Sequence, residues 1–110
     1  MKNKIINIIK EKGNGVSFVE LDREIVKFKD DLKMALGDNN IYVWFGLSEE
    51  AITVIKELLN DRIIELHPTE PLVYYIDGSV PNVPIAKRDQ YYKSERWLPM
   101  TFNKGPMFPF

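Results

Sequence analysis

The chain has 110 residues, enough for one domain that buries roughly two thirds of the surface its unfolded form exposes, and too few for a second core. Apolar residues make up 45% and charged residues 28%, which excludes wholesale disorder; the absence of cysteine excludes disulfides and thiolate metal sites and points to a reducing compartment, by default the cytoplasm. The net charge of −1 conceals an asymmetry, because residues 1–79 hold 10 basic and 14 acidic side chains (−4) while residues 80–110 hold 5 and 2 (+3), so the first part lacks the basic stripe typical of a nucleic-acid-binding domain.

At the N-terminus, "KNKIINIIKEK" sets Ile5, Ile8 and Ile9 at i, i+3 and i+4, one apolar stripe on a helix that ends at Gly13-Asn14-Gly15, residues that tolerate a left-handed C-cap. Ser17 and Glu20 form an S-x-x-E capping box, with Val16 and Leu21 as hydrophobic staple, so a second helix starts at Phe18 and runs to about Val26. Residues 27–37 extend or restart a helix up to Gly37, Asp38-Asn39-Asn40 is turn chemistry, and "IYVWF" at 41–45 is a buried strand by its β-branched and aromatic content, either internal or an edge open to a second copy.

A third helix follows Gly46. Ser48 is its N-cap, Glu49 and Glu50 stabilise its first turn through the helix dipole, and Ala51, Ile55, Leu58 and Leu59 form its core stripe. Residues 63–66 and 72–76 read as two strands joined by His67-Pro68-Thr69-Glu70-Pro71, whose prolines keep the loop out of the ladder. Five of the seven prolines lie beyond Gly78, which predicts an irregular C-terminal extension. Ile5, Ile9, Val19, Leu21, Ile25, Trp44, Ile55, Leu59, Ile64 and Val73 are the core candidates. The longest apolar runs fall far short of the roughly 20 residues of a membrane helix, and no signal-peptide h-region is expected at the N-terminus.

Helix, short strand at Val16-Ser17, helix, helix and two-stranded wing is the order of winged helix-turn-helix domains, and residues 2–78 resemble one. "SFVEL", "GLSEEAI", "PLVYYIDG", "PIAKR" and "WLP" are similar to small uncharacterised proteins carried by phages and genomic islands of Gram-positive bacteria. That resemblance implies a setting and no activity. The chain departs from the winged-helix pattern where residues 27–46 replace the tight turn between the second and third helices.

If the third helix entered a major groove, its solvent face would offer Glu49, Glu50, Thr53, Lys56, Glu57 and Asn60, of which only Lys56 and Asn60 suit base or phosphate contact. The wing at 67–71 carries no Lys or Arg. The basic extension interleaves Lys87, Arg88, Lys93 and Arg96 with Tyr91, Tyr92 and Trp97, the composition of a single-strand site in which cations track phosphates and aromatics stack on bases. The same residues serve equally to pack the extension on the domain, or as protein anchors, since Tyr, Trp and Arg are enriched at interface hot spots. His67, the sole histidine, lacks partners for a metal site or a catalytic dyad, and Glu49 and Glu50 diverge by about 100° on a helix, so no catalytic, cofactor or metal site is expected and the chain is not read as an enzyme.

The expected architecture is α+β: a winged helix over residues 1–79, with three helices, a small antiparallel β-wing and an insertion before the third helix, then an irregular basic extension over 80–110 packed on the domain or a partner. The expected function is that of a non-catalytic accessory or regulatory protein of a phage or mobile element, cytoplasmic and binding single-stranded or duplex DNA through Lys87, Arg88, Tyr91, Tyr92, Lys93 and Arg96, with Lys56 and Asn60 contributing. The alternative is an interaction module for a host or phage protein, acting through the acidic third helix and the C-terminal aromatics. A homodimer is compatible with both.

Overall fold

The computed structural model describes residues 1–87 and 90–110. Helix α1 (Lys2–Lys12) buries Ile5, Ile8 and Ile9 and ends at Gly13, φ 82°, whose N–H donates to the Ile9 carbonyl. Val16 bridges Phe102, and α2 (Phe18–Glu24) opens with the expected capping box: Ser17 Oγ accepts from Glu20 N at 3.1 Å while Glu20 Oε1 accepts from Ser17 N at 3.2 Å. Sequence and structure agree here because both helices are specified by contacts within a few residues.

Residues 29–35 form a strand, β1 (Lys29–Ala35), where a helix was expected. It makes an antiparallel hairpin with β2 (Ile41–Leu47) around a turn in which Gly37 and Asn40 take φ of 71° and 61°. Helix propensity in "KFKDDLKMALG" is worth only tenths of a kcal/mol per residue, and the backbone of the apolar β2 needs a ladder partner once buried. Strand β2 is the middle strand of a three-stranded sheet, ordered β1-β2-β4, with the short parallel β4 (Arg96–Trp97) beside Ile41 and Tyr42. β2 is therefore internal, not an edge.

Helix α3 (Glu49–Asn60) has the expected Ser48 cap, 3.0 Å from Ala51 N, and buries Ala51, Ile55 and Leu58. Strand β3 (Ile64–Pro68) follows, but the wing hairpin does not form. Its partner is β5 (Met100–Lys104), antiparallel in unbroken register from Ile64↔Lys104 to Pro68↔Met100. The expected second wing strand is helix α4 (Leu72–Asp77), opened by Pro71 at φ −55° and closed by Gly78 at φ 87°. Proline fits a helix start because its ring sets φ and its missing N–H is not needed there.

The C-terminal segment is less irregular than its proline content suggested, because Pro99 sits between β4 and β5 and Pro106 after β5, where no ladder N–H is needed. Trp97, Met100, Phe102 and Phe108 join Ile5, Phe18, Leu21, Trp44, Ile55 and Leu58 in the main core. Of the ten core candidates eight are buried, and Leu59 and Val73 pack against the core from its margin. The architecture is thus mixed α+β, with four helices and two small sheets among the described residues. Among the described residues no helix is long and apolar enough to cross a membrane.

Candidate functional site

The residues expected to contact nucleic acid do not form a stacking platform. Tyr92 is 8% exposed and packs with Ile41 and Ala86; its hydroxyl accepts from Lys87 N at 2.9 Å, its carbonyl accepts from Asn40 Nδ2 at 2.7 Å, and its N–H donates to the Asn39 carbonyl at 3.1 Å. Arg96 is half-buried with its guanidinium 4.7 Å from the Tyr92 ring centre, so this cation and this ring are already engaged with each other. Trp97 is 1% exposed and edge-on to Trp44 and Tyr74. Lys87, Tyr91 and Lys93 do face solvent, whereas Arg88 lies outside the described residues.

Lys56 and Asn60 are exposed on α3 beside Glu49, Glu50, Thr53 and Glu57, as the helical spacing predicted. Glu57 pairs with Lys2 at 3.1 Å. Among the described residues no hydrogen bond or ion pair links this face to residue 87 or residues 90–96. Nearer the extension, Lys33 pairs with Glu95 and lies 5.0 Å over the Tyr42 ring; its hydrogen bond to Glu95 raises the Lys33 pKa above its ordinary value.

The surface that sequence reasoning missed is α4. Leu72, Tyr75 and Ile76 stand 62%, 60% and 75% exposed at i, i+3 and i+4, one outward apolar stripe on a helix whose inward residue, Tyr74, is wholly buried. The Tyr74 ring stacks on Trp44 at 4.9 Å, its hydroxyl donates to the Met100 carbonyl at 2.5 Å, and it accepts from Phe18 N at 3.2 Å. At the far end of α4, Asp77 Oδ2 accepts from Ser17 Oγ at 2.6 Å and the Asp77 carbonyl accepts from Arg23. The stripe is therefore held on α2 and β5 by a satisfied buried network. Pro71 followed by the Leu72, Tyr75, Ile76 spacing was the available signal; the aromatic and β-branched content of "LVYYI" outweighed it.

The chain matches no family model, no curated protein and no solved structure. Its chemistry therefore rests on the residues alone. Ser17 and Asp77 resemble part of a catalytic pair, but Ser17 is wholly buried and its oxygen is spent on the α2 cap and on Asp77. His67 stands 2.9 Å from Glu65 on β3, beside an open groove of about 540 Å³ lined by Leu59, Arg62, Ile64, Glu65, Leu66, His67 and Pro106. Among the described residues no cluster of three or more His, Asp or Glu could hold a metal ion.

Burial disfavours the tyrosinate and raises the Tyr74 pKa well above its ordinary value, a shift that Asp77 and Glu20 reinforce and the Phe18 N–H opposes. The folded state thus prefers the neutral phenol. Its contribution is complete below the unfolded tyrosine pKa of about 10 and is lost as pH rises above it. Alkaline unfolding followed by circular dichroism should show stability falling above that pH. Tyr74→Phe should flatten this limb, at a cost of about 1–3 kcal/mol at neutral pH because the buried Phe18 N–H loses its acceptor.

Proposed function

We propose that this chain is a non-catalytic protein-interaction module whose contact surface is the outward stripe of α4, with the acidic face of α3 as a second contact. The observation that carries this reading is the exposure of Leu72, Tyr75 and Ile76 on a helix anchored by Tyr74 and Asp77. Contiguous apolar surface on a preformed element favours a protein partner, since water gains when it is covered and no loop has to be ordered first. The expected result is that a protein captured from host extract by the wild-type chain, and quantified by mass spectrometry, is lost with Leu72→Ser/Tyr75→Ser/Ile76→Ser while the variant's melting temperature stays within a few degrees. An unchanged set of captured proteins would remove α4 from the function.

A second reading is a nucleic-acid-associated accessory protein of a phage or mobile element with a winged-helix ancestry. It is favoured by Lys87, Tyr91 and Lys93 facing solvent within one short segment, with Lys56 and Asn60 as minor contacts from α3. Both readings place the chain in the cytoplasm. Fluorescence anisotropy with single-stranded and duplex DNA across a salt series separates them, because phosphate binding weakens steeply as counterions compete. The interaction-module reading expects no salt-sensitive binding. Micromolar binding abolished by Lys87→Ala/Tyr91→Ala/Lys93→Ala would transfer the function to the extension.

A further inference from the structure

We infer that the free edge of β3 pairs with β3 of a second copy of this chain, antiparallel about a twofold axis at Leu66, to make a continuous sheet in the order β5-β3-β3-β5. The two-stranded sheet has one closed edge and one open edge. On the closed side, Phe102 of β5 exchanges hydrogen bonds with Val16, N to O at 2.7 Å and 3.2 Å. Phe102 is the register partner of Leu66, so in this antiparallel ladder both residues direct their N–H and C=O away from each other. Leu66 therefore presents its backbone donor and acceptor to the open side. Among the described residues no strand pairs there, and the groove beside Ile64, Glu65, Leu66 and His67 leaves about 540 Å³ of room.

The register follows from the hydrogen-bonding match of Glu65 with His67 and from proline. With Leu66 opposite Leu66, Glu65 stands opposite His67 of the second copy, and His67 opposite its Glu65. The two side chains already share one face of β3, 2.9 Å apart. The strand is thus self-complementary under a twofold axis, as an isologous interface requires. Two Leu66-to-Leu66 bonds form at the centre, and Ile64 N–H donates to the Pro68 carbonyl on either side. Pro68 lacks an N–H, so the ladder stops there. On the opposite face each half-buried Leu66 side chain covers its twin, and beyond the strands the same register brings Arg62 towards Glu70 of the second copy, both exposed on the monomer.

The other open edge, β1, differs in kind. Its register with β2 shifts at three places, and Lys29, Asp30, Asp31 and Lys33 are all exposed along it. Bulges and charges of that sort prevent edge pairing. The β3 ladder has no register shift.

Sedimentation velocity on the full chain across a wide concentration series should show a reversible monomer–dimer equilibrium, weak because a single strand pair buries little area. His67→Glu sets like charges opposite each other twice and should weaken the dimer about tenfold; Glu65→Lys/His67→Lys should do the same with the opposite sign. An equimolar mixture of the two variants should recover a dimer containing one copy of each. Since the chain has no cysteine, Leu66→Cys reports the register directly and should be joined to its twin by a short bis-maleimide cross-linker, a hydrogen-bonded pair being too wide for an unstrained disulfide. Circular dichroism of each variant keeps loss of fold apart from loss of pairing. A wild-type chain that stays monomeric at the highest concentrations overturns the proposal. So does a dimer that ignores these charges, or one that Leu66→Cys fails to cross-link.

Discussion

Replacing Gly105 with alanine is expected to cost about 3 kcal/mol of stability, read as a shift in the urea midpoint at unchanged slope. A methyl group at Gly105 would stand 2.2 Å from the Arg62 carbonyl oxygen, 2.9 Å from its carbon and 3.0 Å from the Ile63 carbonyl carbon. All three are backbone atoms, and none can swing aside. The Arg62 carbonyl accepts from Met107 N at 3.0 Å, the Ile63 carbonyl accepts from Gly105 N at 2.9 Å, and Arg62 itself is held at φ 59°. The turn into β3 and the strap leaving β5 are thus locked together where only hydrogen fits. Gly78→Ala is the informative comparison. Gly78 has open space around its Cβ position but lies in the left-handed region at φ 87° and ψ 14°, so alanine there should lose only about 1 kcal/mol, the cost of a left-handed backbone. Equal costs at the two positions would mean that close approach is not what Gly105 serves.

Residues 1–79 expressed alone are expected not to fold, which makes the boundary expected from the charge asymmetry a boundary of composition and not of stability. The fragment retains α1 to α4 but loses β5, which pairs with β3. Tyr74 loses its Met100 acceptor, and Phe18 loses the ring of Phe102, 4.7 Å away. Trp97, Met100, Phe102 and Phe108 leave the core together. At about 1.5–3 kcal/mol for each large apolar side chain, the loss is of order 10 kcal/mol, comparable to the whole stability of a typical domain. Far-UV circular dichroism and proton NMR should therefore show a chain without cooperative melting or dispersed amide signals. A fragment that melts cooperatively would establish residues 80–110 as an accessory segment.

The contrast between helices and strands explains which expectations held. Helices α1, α2 and α3 were legible to within a residue or two because Gly13, the Ser17–Glu20 box and Ser48 act on amides a few positions away. Residues 29–35 and 72–77 exchanged their expected states, strand for helix and helix for strand, because neither is decided locally. The first takes its conformation from β2 across the Gly37–Asn40 turn. The second is set by Pro71 and by the single buried ring of Tyr74, which a helix can insert while keeping Leu72, Tyr75 and Ile76 outside.

The candidate site divides along the same line. The solvent face of α3, with Lys56 and Asn60 among its acidic neighbours, followed from helical periodicity alone. The fate of the basic extension did not. Tyr92 and Arg96 are taken up by packing against residues 39–41, more than 50 positions earlier in the chain, and no local pattern encodes that meeting.

By itself the sequence determined the starts of α1, α2 and α3, their apolar stripes, the buried β2 strand, the charge asymmetry and the absence of disulfide chemistry, since each depends on composition or on spacing within a few turns. Only the tertiary structure decided that β3 pairs with β5 and leaves one edge open, that α4 carries the exposed apolar stripe, and that the extension supplies part of the core. Strand partners and burial are set by contacts between distant residues, and their free energy exists only once the chain has closed on itself.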